Sequence, residues 1–417
     1  MLPYTAQEYP LKEVSGGVCA PKGFKAGGIW CGIKAGSQKR DLALIYSEQI
    51  CTAAAMFTTN LVKAASVLVS EDHIAGGKLH AVIANSGNAN ACTGEAGLAA
   101  ARRMAELAAD EFALAPAQVA VASTGVIGVP LPIAAIENSI GALANSLRGD
   151  ASGHAAALEA IMTTDVRMKG FSVEIEIGGV PVRIGGMTKG SGMIHPNMAT
   201  MLCFITTDAA IDREPLDASL RSAVRRSFNR VTVDGDTSTN DTVIIMANGA
   251  SGAPRITAGS PAYELFTRAL EDSCVKLARA MARDGEGATK LVTVTVNGAL
   301  DETGAETLAK SVAASSLVKA ACFGADANWG RILCALGYAG VEFDPGRVNV
   351  RFKNTVGEIA VCSNGGSVPF SEEQAKKILS GEEIEILVDV GAGSGGATVW
   401  GCDLTYDYVK INGDYRS

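Results

Sequence analysis

The sequence predicts an α/β protein of layered sheets and helices, and three observations carry that expectation. Helical and alternating apolar patterns follow one another along the whole chain instead of segregating into blocks. The alternating stretches are short and bounded by turn formers, as "KLVTVTVNG" is at 290–298. The chain's 417 residues, 47% apolar and 19% charged, suffice for two or three cores of a compact globular protein.

Taken in order, "EAGLAAARRMAELAADEFAL" at 95–114 places apolar residues at helical spacing, and "AQVAVAST" after it reads as a strand. "FSVEIEI" alternates strictly and "GGVPVRI" returns after Gly178-Gly179, which is a hairpin signal. "MLCFITTD" at 201–208 reads as a buried strand. Helices are expected at 214–228, 261–283 and 371–379, the last opened by Ser371 with Gln374 as a capping box. "ATVWGCDLTYDYVKI" at 397–411 alternates like a strand. No repeat, low-complexity tract or linker marks a domain boundary.

Composition narrows the function classes. A net charge of −8 argues against nucleic acid as the main partner, because phosphate binding needs clustered Lys and Arg. The densest basic run, "RSAVRRSFNR", reads as the solvated face of a helix. Ten Cys show neither a C-x-x-C pair nor a Cys/His cluster at metal-ligand spacing. The first residues lack a basic stretch followed by an apolar one, and no run reaches the length of a membrane span. The expectation is a cytoplasmic protein in a reducing compartment, without membrane, nucleic acid or structural zinc.

Familiar motifs fail. "GAGSGG" at 391–396 has dinucleotide-site spacing, but a strand pattern follows it where phosphate binding needs a helix N-terminus, so it reads as a hairpin turn. No nucleophile elbow or P-loop is present. Four His form no spaced pair, and His195, beside Pro196, reads as a surface residue.

What survives is "MTKGSGMIHPNMATMLCFITTD" at 187–208, a Gly-broken loop that runs straight into an apolar strand. Thr200 stands where loop meets strand. A Thr hydroxyl needs a base, and no Ser-His-Asp or Cys-His pattern supplies one. If the chain were cut between Ala199 and Thr200, the freed α-amine, with a pKa of roughly 7.7 to 8, could serve as that base in the same residue.

Here the sequence resembles a family, the self-cleaving ornithine acetyltransferases, also called bifunctional glutamate N-acetyltransferases, of arginine biosynthesis. Besides "KGSGMIHPNMATMLCFITTDA", the resemblance rests on "NSGNANACTG" (85–94), "ASTGVIG" (122–128), "IMTTD" (161–165), "VTVDGDTSTND" (231–241), "DGEGATK" (284–290), "FGADANWGR" (323–331) and the closing "INGDYRS". One departure is Ala327, where the family reads Asp-Pro-Asn-Trp-Gly-Arg with Pro; no chemistry is expected of that turn. The resemblance implies the family's α/β fold shared by two processed chains, an α chain of 1–199 and a β chain of 200–417 with Thr200 as its N-terminal nucleophile. It further implies an oxyanion hole at Thr124 and Gly125, and substrate contacts at Thr163, Lys189, Thr200, Glu286, Asn412 and Ser417.

Taken alone, "STG" would be a turn after a strand, and Lys189 or Glu286 a solvated charge. The activity implied is transfer of the acetyl group of N-acetylornithine to glutamate through an acetyl-Thr enzyme, with acetyl-CoA as a second candidate donor. No cofactor or metal is implied, and a heterotetramer of two α and two β chains is the family expectation. Two rivals stand beside it: a related self-cleaving aminopeptidase, which would use Ser in the equivalent place, and a binding protein that keeps the fold without cutting.

Overall fold

The computed structural model describes residues 11–34, 36–195 and 201–414. Ala199, Thr200 and Ser417, all singled out above, lie outside the described residues.

Sixteen strands are described: β1 (Lys12–Glu13), β2 (Phe24–Ile29), β3 (Leu42–Phe57), β4 (Lys78–Asn88), β5 (Val119–Val126), β6 (Lys169–Ile177), β7 (Val180–Lys189) and β8 (Leu202–Thr207) come first. They are followed by β9 (Val231–Thr232), β10 (Thr242–Ala247), β11 (Leu291–Ala299), β12 (Asn349–Lys353), β13 (Glu358–Ser363), β14 (Gly366–Ser367), β15 (Glu383–Asp389) and β16 (Gly395–Cys402). One sheet runs in the order β1-β6-β7-β8-β10-β3-β4-β5, with β2 also paired to β3; the other runs β14-β13-β12-β15-β11-β16-β9. In the first sheet β8 and β10, which lie beyond residue 199, pair with each other in parallel and sit between β7 and β3, which precede it.

Alternation explains the layers, because successive side chains of a strand face opposite sides of the sheet. In β8, Cys203 and Ile205 face a core shared with helices Arg213–Arg226 and Pro261–Arg283, while Leu202 and Phe204 face a second core with helix Ala151–Ile161. Leu42 and Leu44 of β3, with Ile83 and Val121, pack against helix Gly94–Glu111. The second sheet buries Val292, Val294 and Val296 against helices Glu302–Ala314 and Glu372–Leu379. Its Trp400 and Leu291 join the core of helix Pro261–Arg283, which therefore lies between the sheets. The protein is thus a layered α/β structure. Among the described residues no helix is long and apolar enough to cross a membrane.

The expected hairpin is β6–β7, turned by Gly178 and Gly179, both at positive φ (60° and 79°), where a side chain would be strained. Helix 261–283 has the expected bounds, with Ser260 accepting from the Tyr263 amide as N-cap. At helix Glu372–Leu379 one half of the expected capping box is present, Ser371 Oγ accepting from the Gln374 amide.

Three expectations need correction. "GAGSGG" is not a hairpin turn: β15 and β16 do not pair, since β11 lies between them, and the glycines carry the chain across the end of β11. The alternation of 397–411 ends with β16 at Cys402, and Tyr406–Gly413 is a helix. Thr405 starts it, its hydroxyl accepting from the Tyr408 amide, with Asp407 in the first turn and Lys410 in the last, where each suits the helix dipole. His195 is half-buried instead of surface-exposed, its Nδ1 3.2 Å from Thr232 Oγ1.

Candidate active site

The ends of several strands meet at one place. Thr124 and Gly125 are not a turn; they lie within β5, where its pairing with β4 is disturbed at Gly87 and Asn88. Such bulges redirect side chains at sheet ends. Lys189 is the last residue of β7 and pairs with Leu202, the first of β8. These two strand ends, with loops from elsewhere, enclose a cavity of about 100 Å³. It is lined by Thr124, Gly125, Thr163, Lys189, Glu286 and Asn412, so six residues from five separated stretches of sequence come together there.

Contrary to the readings of these residues in isolation, Lys189 and Glu286 are buried, at 3% and 7% exposure. Lys189 Nζ donates to Thr124 Oγ1 at 3.2 Å. Burial lowers the Lys189 pKa, with Lys169 acting in the same sense, while the carboxylates of Asp165 and Glu286 oppose it. Asn412, carried by the helix Tyr406–Gly413, donates through Nδ2 to Glu286 Oε2 at 2.8 Å. The end of the described chain is therefore attached to the cavity wall.

The flanks of the undescribed segment 196–200 are held by two carboxyl groups, the half-buried Asp234 and the fully buried Asp241. Upstream, Asp234 accepts from the amides of Met193 (2.6 Å) and Ile194 (2.8 Å), and from the Tyr408 hydroxyl at 3.3 Å. Downstream, Asp241 accepts from the Met201 amide at 3.0 Å, and the Thr242 amide donates to the Met201 carbonyl at 3.0 Å. Burial pushes the Asp241 carboxyl well above the usual range, more than the Met201 amide and Lys189 offset.

Sequence reasoning passed over several neighbours. Asp165 receives the amides of Gly190 (2.7 Å) and Thr163 (3.0 Å), and Lys169 bridges it to Asp284 in a buried ion triad. Burial would raise the Asp165 pKa, but Lys189 and Lys169 hold it down to about 2. Ser238, Thr239 and Asn240 also line the cavity, with Asn240 Nδ2 donating to the carbonyls of Ala89 and Ser123 at 2.6 and 2.8 Å. Asp165, Ser238, Thr239 and Asn240 lie in "IMTTD" and "VTVDGDTSTND" and Asp284 opens "DGEGATK", whereas Lys169 lies in none of the quoted strings. No charge pattern or spacing distinguished them.

The chemistry on offer is a lysine, a hydroxyl and the backbone of Gly125 lining one small cavity together with a carboxylate and an amide. That set suits an amino-acid substrate whose acyl oxygen becomes negative during reaction.

Known proteins resemble this chain along nearly its whole length. The ArgJ family profile matches residues 25–417. The arginine biosynthesis bifunctional protein ArgJ of Symbiobacterium thermophilum is 53% identical over 408 residues, covering 98% of this chain and 100% of that protein. The protein of the same description from Caldanaerobacter subterraneus subsp. tengcongensis is 49% identical over 407 residues, again with 98% and 100% covered. A crystal structure of the arginine biosynthesis bifunctional protein ArgJ from Bacillus halodurans aligns at 45% identity and a TM-score of 0.49, over 51% of this chain and 98% of that one. With a profile spanning all but the first residues and relatives that align along nearly the whole chain, this chain belongs to the ArgJ family.

Proposed function

We propose that this chain moves the acetyl group of N2-acetyl-L-ornithine to L-glutamate in arginine biosynthesis, through an ester on Thr200. The observation that carries the reading is the convergence of Thr124, Gly125, Thr163, Lys189, Glu286 and Asn412 on one cavity beside the start of β8. Thr200 is bonded to Met201, which is anchored by Asp241 next to that strand.

Cleavage between Ala199 and Thr200 frees the α-amine. The Thr200 hydroxyl then attacks the acetyl carbonyl of N-acetylornithine, and its proton passes to the α-amine. The carbonyl oxygen, now negative, is held by the Thr124 hydroxyl and the Gly125 N–H. The carbon–nitrogen bond breaks, the proton goes to the departing amine, and ornithine leaves. Glutamate's amine attacks the Thr200 ester, the oxyanion forms again in the same place, and the hydroxyl is restored. Lys189, with donors left beyond its bond to Thr124, suits a substrate carboxylate; Glu286, steadied by Asn412, suits an ammonium group. The 1–199 and 200–417 pieces stay together, two of each form the assembled enzyme, and acetyl-CoA serves as a second donor, in line with the word "bifunctional" in the relatives' descriptions.

Incubation with N-acetylornithine and no glutamate tests the reading. A covalent route divides the reaction in two, so an acetyl group is expected to accumulate on the peptide that begins at Thr200, detected by intact mass, with ping-pong initial rates. Intersecting double-reciprocal lines without a trapped acetyl group would indicate direct transfer.

The end of the chain gives a separate expectation. Deleting residues 412–417 removes the Asn412 contact to Glu286 but nothing that anchors Met193, Ile194 or Met201. Two chains should still form, while KM rises or acetyl transfer is lost. Normal kcat and KM after the deletion would withdraw Asn412 and Ser417 from the substrate site.

A further inference from the structure

The bond between Lys189 and Thr124 has a directional consequence. An ammonium group has donors and no acceptor, so in this pair Thr124 Oγ1 must accept. A hydroxyl carries a single proton. Among the described residues, Thr124 Oγ1 donates to no acceptor, and both side chains line the cavity. With Lys189 occupying one lone pair, the Thr124 proton is free to point into the cavity that both side chains line. Were the nitrogen an uncharged amine, the hydroxyl could turn and donate to it, and the hole would lose one of its two donors.

The surroundings keep the lysine in place. Lys189 ends β7, and the next amide, that of Gly190, is fixed at 2.7 Å by Asp165 Oδ1. Asp165 is itself held by Lys169, whose second carboxylate partner, Asp284, also accepts from the amides of Val166 and Arg167. Three segments distant in sequence, at 163–169, 189–191 and 284–286, are thereby locked together, the last by Ser191, which donates to the Asp284 carbonyl at 2.6 Å and accepts from the Glu286 amide at 2.9 Å. Burial lowers the Lys189 pKa, with Lys169 in the same sense, and the carboxylates of Asp165, Glu286 and Asp241 oppose that shift.

We propose that Lys189 is a positioning residue for the Thr124 hydroxyl, aiming its proton into the cavity in addition to any substrate contact Lys189 makes. The inference rests on the reading of Thr124 as an oxyanion donor. It separates Lys189 from the other residues assigned to substrate, because self-cleavage involves no substrate, and a lysine that only binds substrate has no part in it.

The test follows self-cleavage of the full-length chain by pulse-chase in cell-free translation, comparing wild type, Thr124→Val, Lys189→Met, Lys189→Arg and the double variant Thr124→Val/Lys189→Met. Thr124→Val removes the hydroxyl at nearly constant shape and is expected to slow the cut roughly a hundredfold. Lys189→Met should slow it by a comparable factor. The double variant should be no slower than Thr124→Val beyond about threefold, because residues acting as a unit are not additive. Lys189→Arg, still a donor-only cation, should stay within about tenfold of wild type. Cleavage of Lys189→Met at the wild-type rate would overturn the inference. So would a double variant slowed by the product of the two single losses, as expected for independent action, for a lysine that serves as a base, or for a variant that misfolds. A wild-type chain that is never cut would instead bring down the nucleophile reading itself, and this inference with it.

Discussion

Thr200→Ala is expected to remain one chain of 42.8 kDa on a denaturing gel, while the wild type separates into two pieces. The same variant should lose acetyl transfer by at least about 10⁴-fold, the scale seen when a covalent catalyst loses its nucleophile. The expectation follows from what the rest of the chain lacks: its four His form no spaced pair, and no nucleophile elbow is present. It also follows from how the neighbourhood is built. Met193 and Ile194 upstream are fixed through their amides by the half-buried Asp234 and Met201 downstream by the buried Asp241, so both sides of the proposed scissile bond are anchored independently of the Thr200 side chain. Removing the hydroxyl therefore deletes the reacting atom without removing those anchors. An alanine variant that is cut at the wild-type rate, or an active wild type that stays whole, would refute the assignment.

Gly125→Ala should be nearly as damaging, for a steric reason. Gly125 has φ of +133°, outside the range that side chains readily accept, and a Cβ there would sit 2.3 Å from the Gly87 carbonyl carbon and 2.5 Å from the Asn88 nitrogen. Both are backbone atoms of the paired strand, so no rotamer change relieves the clash, and β4 and β5 must separate. Overpacking of this kind costs about 1–3 kcal/mol in stability. The effect on rate is larger: the Gly125 N–H moves with its strand, and loss of one oxyanion donor alone slows reaction on the order of 10²–10³-fold. Cleavage kinetics and thermal melting measured together check this. A variant that melts lower yet cuts at the wild-type rate would show that the hole does not use Gly125.

The physical periodicities were the most legible part of the fold. Helix Pro261–Arg283 has a strong apolar stripe, a Ser cap and Pro at its start, and the β6–β7 hairpin has strict alternation around two glycines; in both, local and tertiary preferences agree. Residues 397–411 misled because a period of two continues into a segment where Thr405 and Asp407 favour a helix start, a local signal outweighed in the sequence by the preceding alternation. The second sheet's order could not be foreseen either, since the pairing of β11 with both β15 and β16 depends on contacts about a hundred residues apart. At the site, Lys189 and Glu286 carry the signature of surface charges, and only a tertiary arrangement of counter-charges makes their burial tolerable. Family resemblance, not periodicity, pointed to them. Asp165 escaped notice for the same reason, because a carboxylate that holds two backbone amides and a lysine leaves no pattern in the sequence.

The first sheet has a further consequence through β8 and β10, seated between β7 and β3. Six residue pairs join β7 to β8, from Ile184–Thr207 to Lys189–Leu202, and six more join β10 to β3, from Thr242–Phe57 to Ala247–Thr52. A cut before Thr200 leaves both ladders in place, so the fragments cannot separate by peeling at an edge; they part only when the sheet itself opens. Before the cut, regaining the native state is a first-order event within one molecule. Afterwards it requires two fragments to meet, and its rate depends on their concentration. Proteolysis of this single bond, as proposed above, would turn maturation into a ratchet: the cut molecule would persist for as long as the sheet resists opening, its lifetime set by an unfolding rate instead of an equilibrium constant.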